Sequence, residues 1–208
     1  MACRVRTGDE TLSDVADRRV DYEGRMADVY ETGRDLLPDA EAAWESTVGP
    51  YVRTGAVVVD VGAGTGRFAR RFAQGFDANV VAVEPSDAMR RAGRELASDQ
   101  QVHWLAGQAE QLPLRGGVAD LVWLCCVVHY LDLARAGTEL ARLLAPDGKL
   151  LVRSVFPDRF DDLAWLRWFP TARAIDEARM PAVEDLADIW RRSEPKRPRA
   201  LGLPSTPK

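Results

Sequence analysis

Three glycines at alternate positions, Gly62, Gly64 and Gly66, stand between an apolar run and the start of a helical pattern. Glycine reaches positive φ at no steric cost and lets main chain come close to a ligand. A helix start adds N–H groups without intrahelical partners and the positive end of the helix dipole. The combination suits a ligand that presses on the backbone and carries a carboxylate or phosphate. In the dinucleotide fingerprint the third glycine follows the second by three positions. Here Arg67 fills that slot, where a side chain crowds helix against strand, so the spacing counts against a nicotinamide or flavin dinucleotide. His129, just past a later apolar run, is a candidate general base toward an oxygen or nitrogen acceptor, with a pocket wall as its other reading. His103 reads as structural. Cys125 and Cys126 are adjacent, so on a strand they point to opposite faces, and buried inert thiols are the default.

Those residues need elements to hold them. The run 56–61, AVVVDV, reads as a strand buried on both faces, as in a parallel sheet. A helix over 67–74 follows, then a strand over 79–83, a helix capped by Ser86 and running to Leu96, and a strand over 101–105. A fourth strand falls at 121–124, a helix at 131–144, and a fifth strand at 149–155 after the turn Pro146-Asp147-Gly148. Strands alternating with helices at this pitch give βαβ units, right-handed crossovers and a doubly wound α/β fold with about five recognisable strands. Before this core, helical patterns cover 18–33 and 39–52. After it they cover 161–169, 171–178 and 182–192. Trp165, Trp168 and Phe169 read as core, with a substrate wall as the alternative.

Composition bounds the rest. The chain has 208 residues, 46% apolar and 29% charged, which suits one globular domain. The net charge of −4 offers no basic field for nucleic acid. The longest apolar run, 121–128, is too short for a membrane span, and the first residues lack a signal-peptide core. Three cysteines give neither a disulfide framework nor zinc-ligand spacing, so no metal and a reducing cytoplasm are expected. Residues 1–17 read as a flexible N-terminus and 193–208 as a disordered, basic, proline-rich tail.

The segment Asp60-Val61-Gly62-Ala63-Gly64-Thr65-Gly66 resembles the first motif of the class I S-adenosylmethionine-dependent methyltransferases. Val81 to Ser86 is similar to that family's second strand, whose terminal acid, here Glu84 followed by Pro85, binds both ribose hydroxyls. Gly107-Gln108-Ala109-Glu110-Gln111-Leu112-Pro113 resembles the segment beside adenine, with Gln108 in place of the usual Asp. Asp120-Leu121-Val122, His129-Tyr130 and the run 143–150 resemble the fourth strand, the residues past it and the turn before strand five.

The resemblance implies a Rossmann-like, mainly parallel sheet without the family's terminal antiparallel hairpin, for which no strands are legible after Arg192. It divides residues 18–192 into N-terminal lid helices (18–55), a cofactor core (56–155) and a helical substrate-side segment (156–192). It implies that Asp60, Gly62, Ala63, Gly64, Gly66, Glu84, Pro85, Gln108, Ala109 and Glu110 bind S-adenosyl-L-methionine, with Tyr22 and Arg34 closing over it. The expected activity is methyl transfer to an O, N or C atom of a small molecule. A cofactor-binding protein without turnover and an NAD(P)-dependent oxidoreductase are the alternatives. No membrane or nucleic-acid partner is expected, and the open edge of strand five offers a surface for self-association.

Overall fold

The computed structural model describes residues 22–23, 29–31, 38–97 and 101–193. Its centre is a five-stranded parallel sheet in the order β3-β2-β1-β4-β5. The strands are β1 (Val57–Val61), β2 (Asn79–Val83), β3 (Val102–Leu105), β4 (Ala119–Cys125) and β5 (Leu144–Arg153). β1 lies in the middle, and Val58, Val59 and Val61 are shut off from solvent. A strand covered on both faces cannot alternate polar and apolar residues, hence its unbroken β-branched run.

Helices cover both faces. On one, α1 (Pro38–Val48) and α2 (Arg67–Phe76) bring Trp44, Phe68 and Phe72 onto Trp123 of β4. Trp44 lies 5.1 Å from Phe72 and 6.2 Å from Trp123, both edge to face. On the other, α4 (Leu133–Leu143) and α6 (Val183–Ser193) cover Val122 and Leu124 with Leu140, Leu143 and Trp190. The helix α3 (Asp87–Leu96) links β2 to β3, and α5 (Pro170–Arg179) precedes α6.

Most expected elements are present, with informative differences. Helix 131–144 starts two residues late because Asp132 caps it, its carboxylate accepting from the Arg135 amide at 3.2 Å. Strand five starts early: Leu144 pairs with Ala119, the turn 145–148 bulges out, and pairing resumes at Lys149. Asp147 in that turn sits at φ 67°, a left-handed conformation that aspartate tolerates. The helix expected over 161–169 is instead two 3-10 segments, Pro157–Asp162 and Ala164–Arg167. Phe160 and Leu166 are both buried, six residues apart, which is two turns at three residues per turn. Pro170 then forces its predecessor out of the helical region. Trp165, Trp168 and Phe169 are not core: they are 48%, 81% and 60% exposed. The helical pattern over 18–33 lies largely outside the described residues, as do Arg34, residues 1–17 and residues 194–208. Among the described residues no helix is long and apolar enough to cross a membrane.

Candidate active site

A cavity of about 340 Å³ opens at the carboxyl ends of β1, β2 and β4. Gly62, Gly64, Glu84, Pro85, Gln108, Ala109 and Glu110 lie on its wall, with Tyr22 and Tyr30 from the N-terminal segment. The sequence-expected residues therefore meet in one place, with exceptions. Asp60, Ala63, Gly66 and His129 do not line the cavity, and Arg34 lies outside the described residues.

The three glycines hold different jobs, although all have positive φ: 74°, 58° and 74° for Gly62, Gly64 and Gly66. A Cβ on Gly62 would come 2.6 Å from Val127 Cγ2, and one on Gly66 would come 2.6 Å from the Trp104 ring. Those two positions are closed by packing. At Gly64 the nearest atom is 3.6 Å away, on the Tyr30 ring, so this glycine faces the cavity under the N-terminal segment. Most of the loop amides are engaged within the protein. Gly62 and Ala63 donate to the Val83 carbonyl at 2.8 and 3.1 Å, and Gly66 to the Ala63 carbonyl at 2.8 Å.

A fourth loop amide, on Gly64, donates to Glu84 Oε2 at 2.9 Å, while Ser86 N donates to Oε1 at 2.9 Å. Burial raises the Glu84 pKa, and the Ser86 and Gly64 amides and Arg90 oppose that rise. Below it, Asp60 is 2% exposed. Burial, then the Glu84 carboxylate, push Asp60 up to about 7, against a hydrogen bond from the Ala69 backbone near the start of α2. Asp60 is thus tied to the start of α2 and is not on the cavity wall.

Sequence reading missed three supporting side chains. Buried Arg90 donates through Nη1 to the Glu84 and Pro85 carbonyls, both at 2.7 Å, and fixes the turn that presents the acid. Glu23 accepts from the Asp87 and Ala88 amides at 3.0 and 3.2 Å, placing an anion on the N-terminus of α3. Glu31 accepts from the Thr65 hydroxyl and pairs with Arg67 and Arg70 at 3.4 and 3.5 Å. Arg90 lies in the first turn of α3, but Glu23 and Glu31 reach their partners from more than 30 residues away, so no local signal singles them out.

On the opposite wall, the Tyr22 and Tyr130 hydroxyls lie 3.1 Å apart. Glu110 accepts from the Asp132 amide at 2.9 Å and ties the 107–113 loop to the turn after β4. Cys125 and Cys126 both border the cavity, because Cys126 leaves the strand at φ 54° instead of continuing its alternation. Their sulfurs are 3.9 Å apart. The neighbouring thiol and burial push Cys125 up, so it stays protonated. His129 lies in a 3-10 turn, Val128–Tyr130, and burial followed by the Arg179 charge lowers its pKa to about 4. It is a neutral imidazole and a weak base. Among the described residues no group of three or more His, Cys, Asp or Glu is arranged to hold a metal ion.

Residues 59–152 match the family model of the methyltransferase domain. This match, the relatives and the fold neighbours together support a class I methyltransferase. It is 35% identical over 145 residues to an uncharacterized methyltransferase of Mycobacterium tuberculosis, covering 69% of this chain and 55% of that one. It is 30% identical over 141 residues to the ubiquinone/menaquinone biosynthesis C-methyltransferase UbiE of Caulobacter vibrioides, covering 61% and 56%. The chain thus spans little more than half the length of these curated relatives. Its fold is similar to that of a Methanococcus maripaludis protein assigned to the S-adenosyl-L-methionine-dependent methyltransferases, with TM-score 0.65, 17% identity and 91% and 88% coverage. It is also similar to phosphoethanolamine N-methyltransferase 2 of Haemonchus contortus in complex with S-adenosyl-L-methionine, with TM-score 0.62, 21% identity and 89% and 44% coverage. In this methyltransferase domain, the cavity lies where open α/β sheets bind ligands, outside the carboxyl ends of the central strands.

Proposed function

We propose that this chain binds S-adenosyl-L-methionine and transfers its methyl group to an oxygen, nitrogen or carbon atom of a small molecule. The observation that carries the reading is the meeting of Glu84 and Gly64 on the wall of one cavity at the ends of β1, β2 and β4. The residues fit the cofactor. A carboxylate has about four acceptor sites, and two backbone amides leave Glu84 room for a pair of hydroxyls. The open face of Gly64 leaves room for the amino-acid end, and Gln108, Ala109 and Glu110 wall the base side. When bound, the cofactor supplies an electrophilic methyl group and a neutral thioether leaving group.

The chain's own part is alignment and exclusion of water. Glu84 fixes one end of the ligand. Tyr22, Tyr30 and Tyr130 form an aromatic wall, with Tyr22 5.9 Å from Tyr30 and 6.2 Å from Tyr130, centre to centre. His129 is set aside as the base, because a group with pKa about 4 that is off the cavity wall takes up protons poorly at neutral pH. The acceptor must then arrive already nucleophilic or lose its proton to water. Carbon is the first acceptor atom to try, since relatives at about 30% identity are named C-methyltransferases.

Calorimetry with S-adenosylhomocysteine tests the reading. Binding that weakens in Glu84→Ala supports it, and no binding at millimolar ligand sinks it. Binding to NADH in preference would restore the oxidoreductase alternative. Binding of S-adenosylmethionine without transfer to any of a panel of acceptors would favour the non-catalytic alternative.

A further inference from the structure

Two thiols meet on the cavity wall. Cys125 ends β4 and Cys126 leaves it at φ 54°, so that both border the cavity with their sulfurs 3.9 Å apart. Neither is the buried inert thiol that the sequence suggests: Cys126 is exposed and Cys125 half-buried. Arg153, at the end of β5, donates through Nη1 to both sulfurs, at 3.4 Å to Cys125 and 3.8 Å to Cys126. Its carbonyl accepts from the Cys126 amide at 2.8 Å, and its guanidinium lies 5.6 Å from the centre of the Phe68 ring. One residue thus holds both the backbone and the sulfurs of the pair.

The two thiols are not equivalent. An adjacent guanidinium favours the thiolate, which is the reactive form of cysteine. Cys125 donates its S–H toward the Cys126 sulfur, and that neighbour and burial keep Cys125 protonated. Cys126, exposed and beside Arg153, is the thiol placed to act as a nucleophile. A second thiol within reach is what turns such a residue from a site of damage into a reversible one.

We propose that Cys125 and Cys126 form a redox modification site on the cavity wall, where a hydroperoxide oxidises Cys126 and Cys125 then closes a vicinal disulfide. In the first step the Cys126 thiolate attacks one peroxide oxygen. The O–O bond breaks, the other oxygen leaves as an alcohol after taking a proton from water, and Cys126 becomes a sulfenic acid. In the second step the Cys125 sulfur attacks Cys126. The S–O bond breaks, the departing hydroxide takes the Cys125 proton, and water leaves. Two thiols and one hydroperoxide give one disulfide, one water and one alcohol. Adjacent Cα atoms are about 3.8 Å apart, closer than in ordinary disulfides, so the bridge is strained and easily reduced. Its closure also resets the backbone leading to Val127, whose Cγ2 stands 2.6 Å from where a Gly62 Cβ would lie. Oxidation therefore disturbs the glycine loop. The disulfide is independent of the methyl-transfer reading above, and only its effect on the cofactor rests on that reading.

The test treats the reduced full chain, in a Cys3→Ser background, with one equivalent of hydrogen peroxide. Remaining thiols are blocked with N-ethylmaleimide, and the tryptic peptide 116–135 is weighed. It should be two hydrogens lighter than its reduced form, carry no maleimide, and regain both thiols in dithiothreitol. Cys125→Ser should stop at a sulfenic acid on Cys126 that dimedone traps. Arg153→Gln should slow disulfide formation at least roughly threefold, and Arg153→Lys should restore part of the rate. The oxidised chain should bind S-adenosylhomocysteine at least roughly tenfold more weakly, reversibly with dithiothreitol. A peptide that keeps both thiols in excess peroxide, crosslinks two chains, or carries sulfinic acid without a bridge overturns the modification site. An unchanged rate in Arg153→Gln removes Arg153 from it. A bridge that leaves the affinity unchanged overturns the link to the glycine loop. If the reduced chain binds no S-adenosylhomocysteine, the cofactor reading falls, and the peptide mass still decides the disulfide.

Discussion

The Gly64 amide and the Glu84 carboxylate are joined by a hydrogen bond of 2.9 Å, so the acid on the cavity wall also holds the glycine loop. Glu84→Ala removes both roles. It should weaken S-adenosylhomocysteine binding by about 2–3 kcal/mol and lower stability by about 1–3 kcal/mol, because two amides lose their acceptor. Glu84→Gln keeps one acceptor oxygen but turns an NH2 toward the second amide, so it should recover only part of the stability while losing most of the affinity. Calorimetry and urea unfolding separate the two effects, and unchanged affinity in both variants removes Glu84 from the site.

Asp60 makes stability depend on pH in an unusual direction. Its carboxyl titrates at about 7 when folded, against an ordinary value near 3.8. Between those values the folded chain holds a proton that the unfolded chain has released, so stability falls as pH rises through that window. The shift corresponds to a loss on the order of 4 kcal/mol across it, flat above pH 8. The raised pKa of Glu84 acts in the same direction. Asp60→Asn should flatten the profile, gaining on the wild type as pH climbs from 5 to 8. Urea titrations along that series check it, and parallel profiles refute it.

The glycines of the loop should separate by substitution. Gly62→Ala meets Val127 at 2.6 Å as well as a positive φ, so it should cost about 2–4 kcal/mol of stability. Gly64→Ala meets only the conformational penalty of about 1–2 kcal/mol, with space beneath Tyr30. Its main effect should be on the ligand, and Gly64→Val should abolish binding in a chain that still folds cooperatively. Equal stability losses at the two positions would contradict this division.

The start of α3 is capped twice, by the Ser86 hydroxyl accepting from the Met89 amide at 3.1 Å and by Glu23 from outside the helix. Ser86→Ala should cost about 1 kcal/mol regardless of salt. Glu23→Gln should cost about 0.3–1 kcal/mol at low ionic strength, and less in molar salt, because charge–dipole attraction is screened. Unfolding at two salt concentrations distinguishes them.

Much of this was readable in the residues because burial on both faces leaves a strand no choice but an apolar run. The 56–61 and 79–83 runs, the Ser86 cap and the glycine loop all follow from local rules. What escaped reading was set by distant partners. The 3-10 segments near Phe160 depend on a surface that no local period reports. Cys126 turns toward the cavity only because the chain leaves β4 in a left-handed conformation. Asp60 keeps its motif position but is buried off the cavity wall, held by the Ala69 backbone of α2, a partner nine residues on that the motif alone does not reveal. Glu23, Glu31 and Arg90 gain meaning only once two helix starts and a turn converge on one cavity.

One indole joins two helices. A Cβ at Gly66, the residue before α2, and one at Gly93 on α3 would each strike the Trp104 ring, at 2.6 and 2.2 Å. Trp104 therefore stands in the volume of three side chains. No single exchange among positions 66, 93 and 104 leaves that volume correctly filled, so these sites should vary together among relatives: a small residue at 104 frees the other two, and any bulk at 66 or 93 requires a smaller neighbour on β3.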